Sequence, residues 1–162
     1  MASYYQSTQS LFIQASPDKV YEALTHWALR SEWRRGIEIK WEGEDRASLN
    51  QKVTFKVKRP LFSYSFSFRV TGLEPPRRFY LEYTGKPLKG RAAVEINPED
   101  KGSQVVFHWM KVEPAGWKAR LFFTLGLGLR THQARTAETL QMLKGYLEGS
   151  KKSENQKPAQ SH

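Results

Sequence analysis

Cysteine is absent from this chain of 162 residues. Its absence excludes a disulfide framework, a thiol nucleophile and any cysteine-ligated metal or cluster. The amino terminus, MASYYQSTQS, also lacks the charged start, apolar stretch and cleavage site of a secretory signal. The most apolar segment, 120–130, is too short to span a bilayer. We therefore expect a cytoplasmic protein.

Signatures of metal binding and catalysis are missing as well. The four histidines show no metal-ligand spacing to one another or to a carboxylate pair; they are His26, His108, His132 and His162. No glycine-rich phosphate loop, nucleophile elbow or paired-carboxylate motif is present. The sequence predicts neither a metal nor a cofactor. It favours a protein without catalytic activity.

Acidic residues are fewer than basic ones, with 16 Asp and Glu against 26 Lys and Arg, so the formal net charge is +10. Such a charge makes nucleic acid, anionic lipid and acidic ligands possible partners. The basic residues are scattered in short groups such as Arg34-Arg35 and Arg77-Arg78, and nowhere form the dense run of a nucleic-acid-binding arm. We therefore expect no nucleic-acid partner, whereas peripheral contact with an anionic membrane stays open.

Apolar residues are sufficient for one folded domain, at 39% hydrophobic and 13% aromatic. Leu11 and Ile13 alternate with polar residues in a first predicted strand. Ser16-Pro17-Asp18 then supplies an N-cap hydroxyl and a proline for the first helical turn. A second short helix over 26–35 is predicted to end at Gly36.

About six strands are predicted to follow, because apolar residues alternate with polar ones between successive turns. The clearest run is 61–70, in which Phe62, Tyr64, Phe66, Phe68 and Val70 share one face. Short turns rich in glycine, proline and asparagine separate the strands. They imply antiparallel pairing, because parallel strands need long crossovers.

A long amphipathic helix is predicted near the carboxyl terminus, most clearly over 131–147. Ala134, Ala137, Leu140 and Leu143 are among the residues expected on its apolar side. Gly126 and Gly128 lie at its start, where we expect a bend. The domain is predicted to span 1–149, and 150–162 to form a disordered polar tail.

The sequence resembles the START-like superfamily, which includes polyketide cyclase/dehydrase and lipid-transport proteins and the birch-pollen allergens. The resemblance spans 10–148 and rests on IQASPDKVYEAL, SEWRRGI, VTGLEPPRRFYLEY, INPEDKGSQVVFHW and ETLQMLKGYLE. It implies an α+β helix-grip fold. In that fold a curved antiparallel sheet of about six to seven strands wraps around a long C-terminal helix, and two short helices follow the first strand. A cavity for an apolar ligand lies between sheet and helix.

The resemblance also implies which residues face that cavity. Val105, Phe107 and Trp109 are placed inward, and His108 outward. Glu95 lies on the strand face that we assign to solvent. The alternative, in which His108 points inward, would make it the leading general acid or base. Tyr64 and Tyr83 are the predicted polar anchors, because a buried hydroxyl needs a partner. The full predicted ligand-binding set is Phe55, Tyr64, Phe66, Phe68, Leu81, Tyr83, Val94, Phe107, Trp109, Leu125, Leu129 and Gln133, with Ala137 beside them.

Three functional hypotheses remain open. The first is a carrier, store or sensor of a hydrophobic small molecule or lipid, and the sequence favours it. The second is an enzyme of the polyketide cyclase/dehydrase type. The third is a basic module that binds an anionic membrane surface or RNA; the apolar segment 120–130 either dips into such a surface, gates the cavity or packs on the sheet edge. The oligomeric state, monomer or dimer, is undecided.

Overall fold

The computed structural model describes residues 4–61 and 63–155. Seven strands form one antiparallel sheet: β1 (Tyr5–Ile13), β2 (Ile37–Trp41), β3 (Lys52–Lys58), β4 (Ser63–Glu74), β5 (Arg78–Thr84), β6 (Leu88–Glu99) and β7 (Gly102–Pro114). Their order across the sheet is β1-β7-β6-β5-β4-β3-β2. Strand β1 starts earlier than the alternation predicted. The predicted antiparallel α+β sheet is thus confirmed, whereas Phe62 lies outside the described residues.

Two short helices follow the first strand, as predicted: α1 (Pro17–Thr25) and α2 (Trp27–Trp33). The hydroxyl of Ser16 accepts a hydrogen bond from the Lys19 backbone N–H at 3.5 Å and caps α1. Helix α2 begins almost immediately after α1, separated from it by His26. This arrangement brings one face of α2 toward the sheet.

The carboxyl-terminal segment forms two helices, α3 (Trp117–Thr124) and α4 (Leu127–Asn155). Gly126 adopts a φ of 75° between them, a conformation that glycine tolerates and most residues avoid. The expected bend is therefore a complete break. Helix α4 continues past Gly149 to Asn155, so the helix extends into the predicted tail; 156–162 lie outside the described residues.

The core lies between the inner face of the sheet and the helices. Leu140, Leu143 and Leu147 of α4 are buried there, together with Val20 and Leu24 of α1. Along β7, Val105 and Trp109 point inward and pair with Ile96 and Ala92. The side-chain direction implied by the resemblance is therefore confirmed for this strand.

The apolar side of α4 differs from the sequence prediction at two positions. Ala134 and Ala137 are exposed, whereas Thr136 and Thr139 are buried. Each threonine hydroxyl donates to the backbone carbonyl four residues earlier, at 3.0 and 2.9 Å. These bonds satisfy the hydroxyls locally, so threonine is buried at little cost. Within the described part of the chain, no helix combines the length and apolar character needed to cross a membrane.

Candidate ligand cavity

A cavity of about 490 Å³ lies between the sheet, α2 and the segment that contains α3 and the first part of α4. Alternate residues of β3 to β7 form its sheet wall, since side chains of a strand alternate between its faces. The ring of Phe55 lies 5.5 Å from that of Phe66 and 5.1 Å from that of Phe68, centroid to centroid. Tyr83 continues this aromatic surface, 5.8 Å from Phe66. One wall is therefore apolar and closely packed.

The structure places all nine predicted strand residues on this wall. They are Phe55, Tyr64, Phe66, Phe68, Leu81, Tyr83, Val94, Phe107 and Trp109. Two-residue periodicity located the seven residues on β3 to β6, because a strand has only two faces. For Phe107 and Trp109 on β7, the family resemblance supplied the choice of face. Their contact with a ligand stays a prediction.

The predicted helix residues do not line the cavity. Leu125 follows α3 and is 64% exposed, Leu129 packs beside the core, and Gln133 is absent from the lining. The α4 residues that do line the cavity are Gly128, Thr131, His132, Arg135, Thr136 and Thr139. Leu129 and Gln133 each follow a lining residue directly, and one residue rotates a helical position by about 100°. The break at Gly126 sets this rotation.

Arg30 of α2 is a charged group in the cavity wall, and it is only 6% exposed. Its Nη1 donates to the Leu24 carbonyl at 3.1 Å, and its guanidinium carbon lies 5.0 Å from the centroid of the Phe55 ring. Its Nε has no hydrogen-bond partner, and no carboxylate among the described residues pairs with it. Burial first, and the neighbouring Arg34 second, lower the pKa of Arg30 to about 10.

Arg34 also lines the cavity, but its guanidinium is satisfied. Its Nε donates to the Thr139 hydroxyl at 2.8 Å and its Nη1 to the Arg35 carbonyl at 2.7 Å. Its Nη2 lies 3.4 Å from a carboxylate oxygen of Glu138. Burial lowers the pKa of Arg34, and Glu138 opposes that effect. Arg34 therefore fastens α2 to α4 in addition to lining the cavity.

His132 of α4 stacks on Trp109, with 3.2 Å between ring centroids and 2° between planes. Burial lowers the pKa of His132 to about 3, so the imidazole is neutral at physiological pH. Its Nε2 lies 3.4 Å from the Thr136 hydroxyl. A base with so low a pKa has little driving force to take a proton.

Neutral polar side chains also line the cavity, among them Gln9, Tyr83 and Trp109. Burial raises the pKa of the Tyr83 phenol, and the nearby Trp109 indole lowers it to a smaller extent. That indole N–H approaches Tyr83 without reaching regular hydrogen-bond geometry, and Gln9 Oε1 also lacks a partner. Together with Arg30 Nε, these are the buried side-chain atoms without partners in the described part of the chain. All three residues line the cavity.

His108 and Glu95 lie on the outer face of the sheet, as the sequence assigned them. His108 Nδ1 is 3.2 Å from the Thr8 hydroxyl, and its Nε2 is 3.5 Å from a Glu95 carboxylate oxygen. His108 is opposite Ala93 and Thr8 in the strand pairing, away from the inward residues. His108 nevertheless contributes to the cavity lining, whereas Glu95 does not.

Sequence reasoning did not identify Arg30, Arg34 or His132 as cavity residues. A signal was present for the arginines, since Trp27, Arg30 and Trp33 or Arg34 recur at helical spacing. His132 precedes Thr136 and Leu140 at intervals of four residues, the spacing of one helix face. Both patterns were missed because these side chains are charged or polar, and such residues are ordinarily assigned to solvent.

The cavity combines a large apolar wall with cationic and neutral polar groups. Four basic residues line it, Arg30, Arg34, Lys118 and Arg135, and its lining contains no Asp or Glu. No group of three or more His, Asp or Glu residues within 4–61 and 63–155 is arranged to hold a metal. The arrangement suits an elongated apolar molecule that also presents a polar or negative group.

Comparisons with known proteins agree with this architecture. The family described as "Polyketide cyclase / dehydrase and lipid transport" matches residues 5–148. A comparison with curated proteins gives no match.

Among solved structures, a Thermus thermophilus protein is 13% identical, with a TM-score of 0.72 over 90% of this chain and 99% of that one. A Staphylococcus aureus protein of unknown function is 14% identical, with a TM-score of 0.71 over 93% and 98%. The Aha1 dimer of Colwellia psychrerythraea is 19% identical, with a TM-score of 0.62 over 89% and 96%. At these identities the likeness shows the fold alone.

Proposed function

Because the chain belongs to the polyketide cyclase/dehydrase and lipid transport family, we propose that it binds a hydrophobic small molecule or lipid in its cavity. It acts as a carrier, store or sensor and not as a catalyst. The observation behind this proposal is the apolar cavity of about 490 Å³. Small-molecule sites usually measure about 300–1,000 Å³ and have mostly apolar walls with a few polar groups.

The size of the cavity favours a binding role over a structural accident. Protein interiors are packed about as densely as organic crystals, and voids much larger than a water molecule are few. A cavity lowers stability because its lining loses van der Waals contacts. A ligand that fills it restores those contacts, so binding and stability support each other.

The mouth of the cavity lies at α3. Phe122 and Lys118 line the cavity and are also exposed on the surface. Phe123, one residue further, is buried against Trp109 and Tyr5. The lining residues of α4 extend from Gly128 to Thr139, about 16 Å along a helix axis at 1.5 Å per residue. An elongated ligand that enters beside α3 would therefore lie along α4.

Binding can be tested with the neutral dye Nile red and a pair of matched variants. Ala92 lines the cavity, whereas Ala137 is exposed on α4. Ala92→Leu is expected to weaken dye binding because the larger side chain occupies ligand space, and Ala137→Leu is expected to have no effect. Equal binding by both variants, or no binding by the wild type, would count against the proposal. Lipid extraction with native mass spectrometry identifies the bound molecule.

An enzyme of the cyclase/dehydrase type is supported less well. Such chemistry needs a group that exchanges protons inside the cavity. The lining contains two histidines and no carboxylate. The pKa of His132 is lowered to about 3, and His108 lies on the outer face of β7, where its Nε2 is 3.5 Å from Glu95. Turnover of a polyketide-like substrate that disappears in His132→Gln would favour the enzyme over the carrier.

Contact with an anionic membrane is a second candidate function, based on the surface beside the cavity mouth. Trp117, Leu121 and Leu125 are 72%, 54% and 64% exposed, and Lys118 and Arg120 flank them. Apolar side chains surrounded by basic ones are typical of segments that lie in a membrane interface.

Vesicle co-sedimentation tests this contact. We expect binding to vesicles rich in phosphatidylglycerol, weaker binding at high salt, and loss of binding in Trp117→Ser/Leu121→Ser. Leu61 is 95% exposed in the turn between β3 and β4, so Leu61→Ser is the matched control. Equal sedimentation with neutral vesicles at every salt concentration would rule out an electrostatic contact.

A further inference from the structure

Arg30 is a buried cation that the protein itself leaves incompletely satisfied. Its guanidinium has five N–H donors. Within the described residues it makes one hydrogen bond, from Nη1 to the Leu24 carbonyl, and its Nε has no acceptor. No described carboxylate lies within ion-pairing distance of it. Buried charges in proteins are usually paired. Either a molecule outside the described chain supplies the missing partner, or the unpaired charge lowers the folding stability with no compensating interaction.

The surroundings of Arg30 make the need for an anion stronger. The aromatic rings of Phe55 and Trp33 lie 5.0 and 5.9 Å from its guanidinium carbon, so the local medium is apolar. Arg34, which carries the same charge, acts on Arg30 more strongly than the Tyr83 phenol, which opposes it. Coulomb interactions are strong where water is excluded, so this part of the cavity has a concentrated positive potential.

The available carboxylate is already shared among other arginines. Glu138 lies 3.4 Å from Arg34, 3.8 Å from Arg59 and 4.0 Å from Arg135. It is therefore committed to three cations, two of which line the cavity. Glu138 is thus already paired, and no acidic residue of the described chain forms a salt bridge with Arg30.

We propose that the cavity binds amphipathic acids, with the oxyanion head of the ligand accepted by Arg30 and its apolar body lying along Phe55, Phe66 and Phe107. This inference rests on the proposed function and names the ligand class. A planar guanidinium suits an oxyanion because it can donate two parallel hydrogen bonds. A fatty carboxylate and an alkyl phosphate share this head-group chemistry.

The proposal is tested with ligands that differ only in the head group. The measurement is the displacement of Nile red by dodecanoate, dodecyl phosphate or 1-dodecanol, each at pH 8 and below its micelle concentration. The delipidated proteins compared are the wild type, Arg30→Met and Arg91→Met. Met resembles Arg in its apolar length and lacks the charge. Arg91 is exposed on β6, so its variant controls for the loss of one positive charge.

We expect the wild type to bind at least one anion about 10- to 100-fold more tightly than 1-dodecanol, the range of a hydrogen bond to a charged group. Arg30→Met should lose this preference, while its affinity for 1-dodecanol stays within about threefold, which also shows that the variant is folded. Arg91→Met should retain the preference. If the preference for dodecanoate is lost in Arg30→Met, the ligand is a carboxylate; if the preference for dodecyl phosphate is lost, the ligand is a phosphate.

Equal affinity of the wild type for all three ligands would overturn the head-group assignment, as would an anion preference that survives in Arg30→Met. Either outcome leaves the proposed apolar binding function intact, because the ligands still bind. Failure of the wild type to bind Nile red and all three ligands would instead overturn the proposed function itself.

Discussion

Replacing Arg30 by methionine should stabilise the ligand-free protein. The guanidinium is buried, makes one hydrogen bond to the Leu24 carbonyl and pairs with no described carboxylate. Replacement of poorly compensated buried charges by apolar residues of similar volume is often stabilising. Most core substitutions have the opposite effect, so an increase in stability would be a specific signature of the unpaired cation.

The magnitude follows from the pKa of Arg30, which is lowered from its ordinary value to about 10. This lowering corresponds to about 3 kcal/mol of folding free energy lost by the charged form. The loss is fully present below pH 10, because the side chain is then charged in the folded and the unfolded protein. Arg30→Met also removes the hydrogen bond to Leu24 and the interaction with Phe55. Together these stabilise the wild type by about 1–2 kcal/mol, and this amount is subtracted from the gain.

We therefore expect the free energy of unfolding to rise by about 1–2 kcal/mol in Arg30→Met, or roughly 2–8 °C in melting temperature. Urea unfolding of delipidated protein, followed by tryptophan fluorescence, measures it. Arg34→Met is the matched control. Arg34 has partners on Thr139, Arg35 and Glu138, so its loss should destabilise the protein by about 2–4 kcal/mol.

A loss of stability in Arg30→Met as large as that in Arg34→Met would refute this reasoning. It would mean that the folded protein already satisfies the Arg30 charge. The ligand provides a second comparison, because dodecanoate should stabilise the wild type and have less effect on Arg30→Met.

Two further predictions concern α4. The folded pKa of His132 is about 3, against about 6.5 when unfolded; the unfolded chain therefore takes up the proton first, and stability falls as the pH drops from 6.5 toward 3. Between pH 7.5 and pH 5, urea unfolding should show the wild type losing about 2 kcal/mol more than His132→Phe, and parallel losses would contradict the buried neutral imidazole. A Cβ at Gly128 would overlap the Phe123 ring, whereas Gly145 has open space around it. Gly128→Ala should thus destabilise by about 1–3 kcal/mol despite the better helix propensity of alanine, and Gly145→Ala should stabilise by up to about 1 kcal/mol in the same urea assay.

The strands were predictable because their periodicity reports burial directly. A strand has two faces, so the alternation around Phe66 and Phe68 leaves one binary choice, and sheet pairing makes that choice consistent across neighbouring strands. For β7, which is apolar on both faces, the family resemblance was needed to place Phe107 and Trp109 inward. Strand periodicity and the family resemblance together therefore predicted the cavity wall formed by the sheet.

The helix residues were less predictable because a helical position can point in any direction around its axis. The break at Gly126 sets the rotation of α4, and the sequence indicated only that a bend was present. Leu129 and Gln133 were consequently expected where Gly128 and His132 lie. Threonines that bond to their own backbone occupy buried positions that polarity alone would assign to solvent.

The sequence by itself determined the order of the elements, the antiparallel sheet and the part of the apolar wall on β3 to β6, since each depends on local periodicity, capping and turn chemistry. Only the tertiary structure decided which charged groups are buried. Arg30 and Arg34 belong to one short helical segment and look alike in sequence. The position of α2 against the sheet and α4 gives Arg34 partners on Thr139 and Glu138 and leaves Arg30 among aromatic rings, because solvation and pairing depend on neighbours distant in the chain.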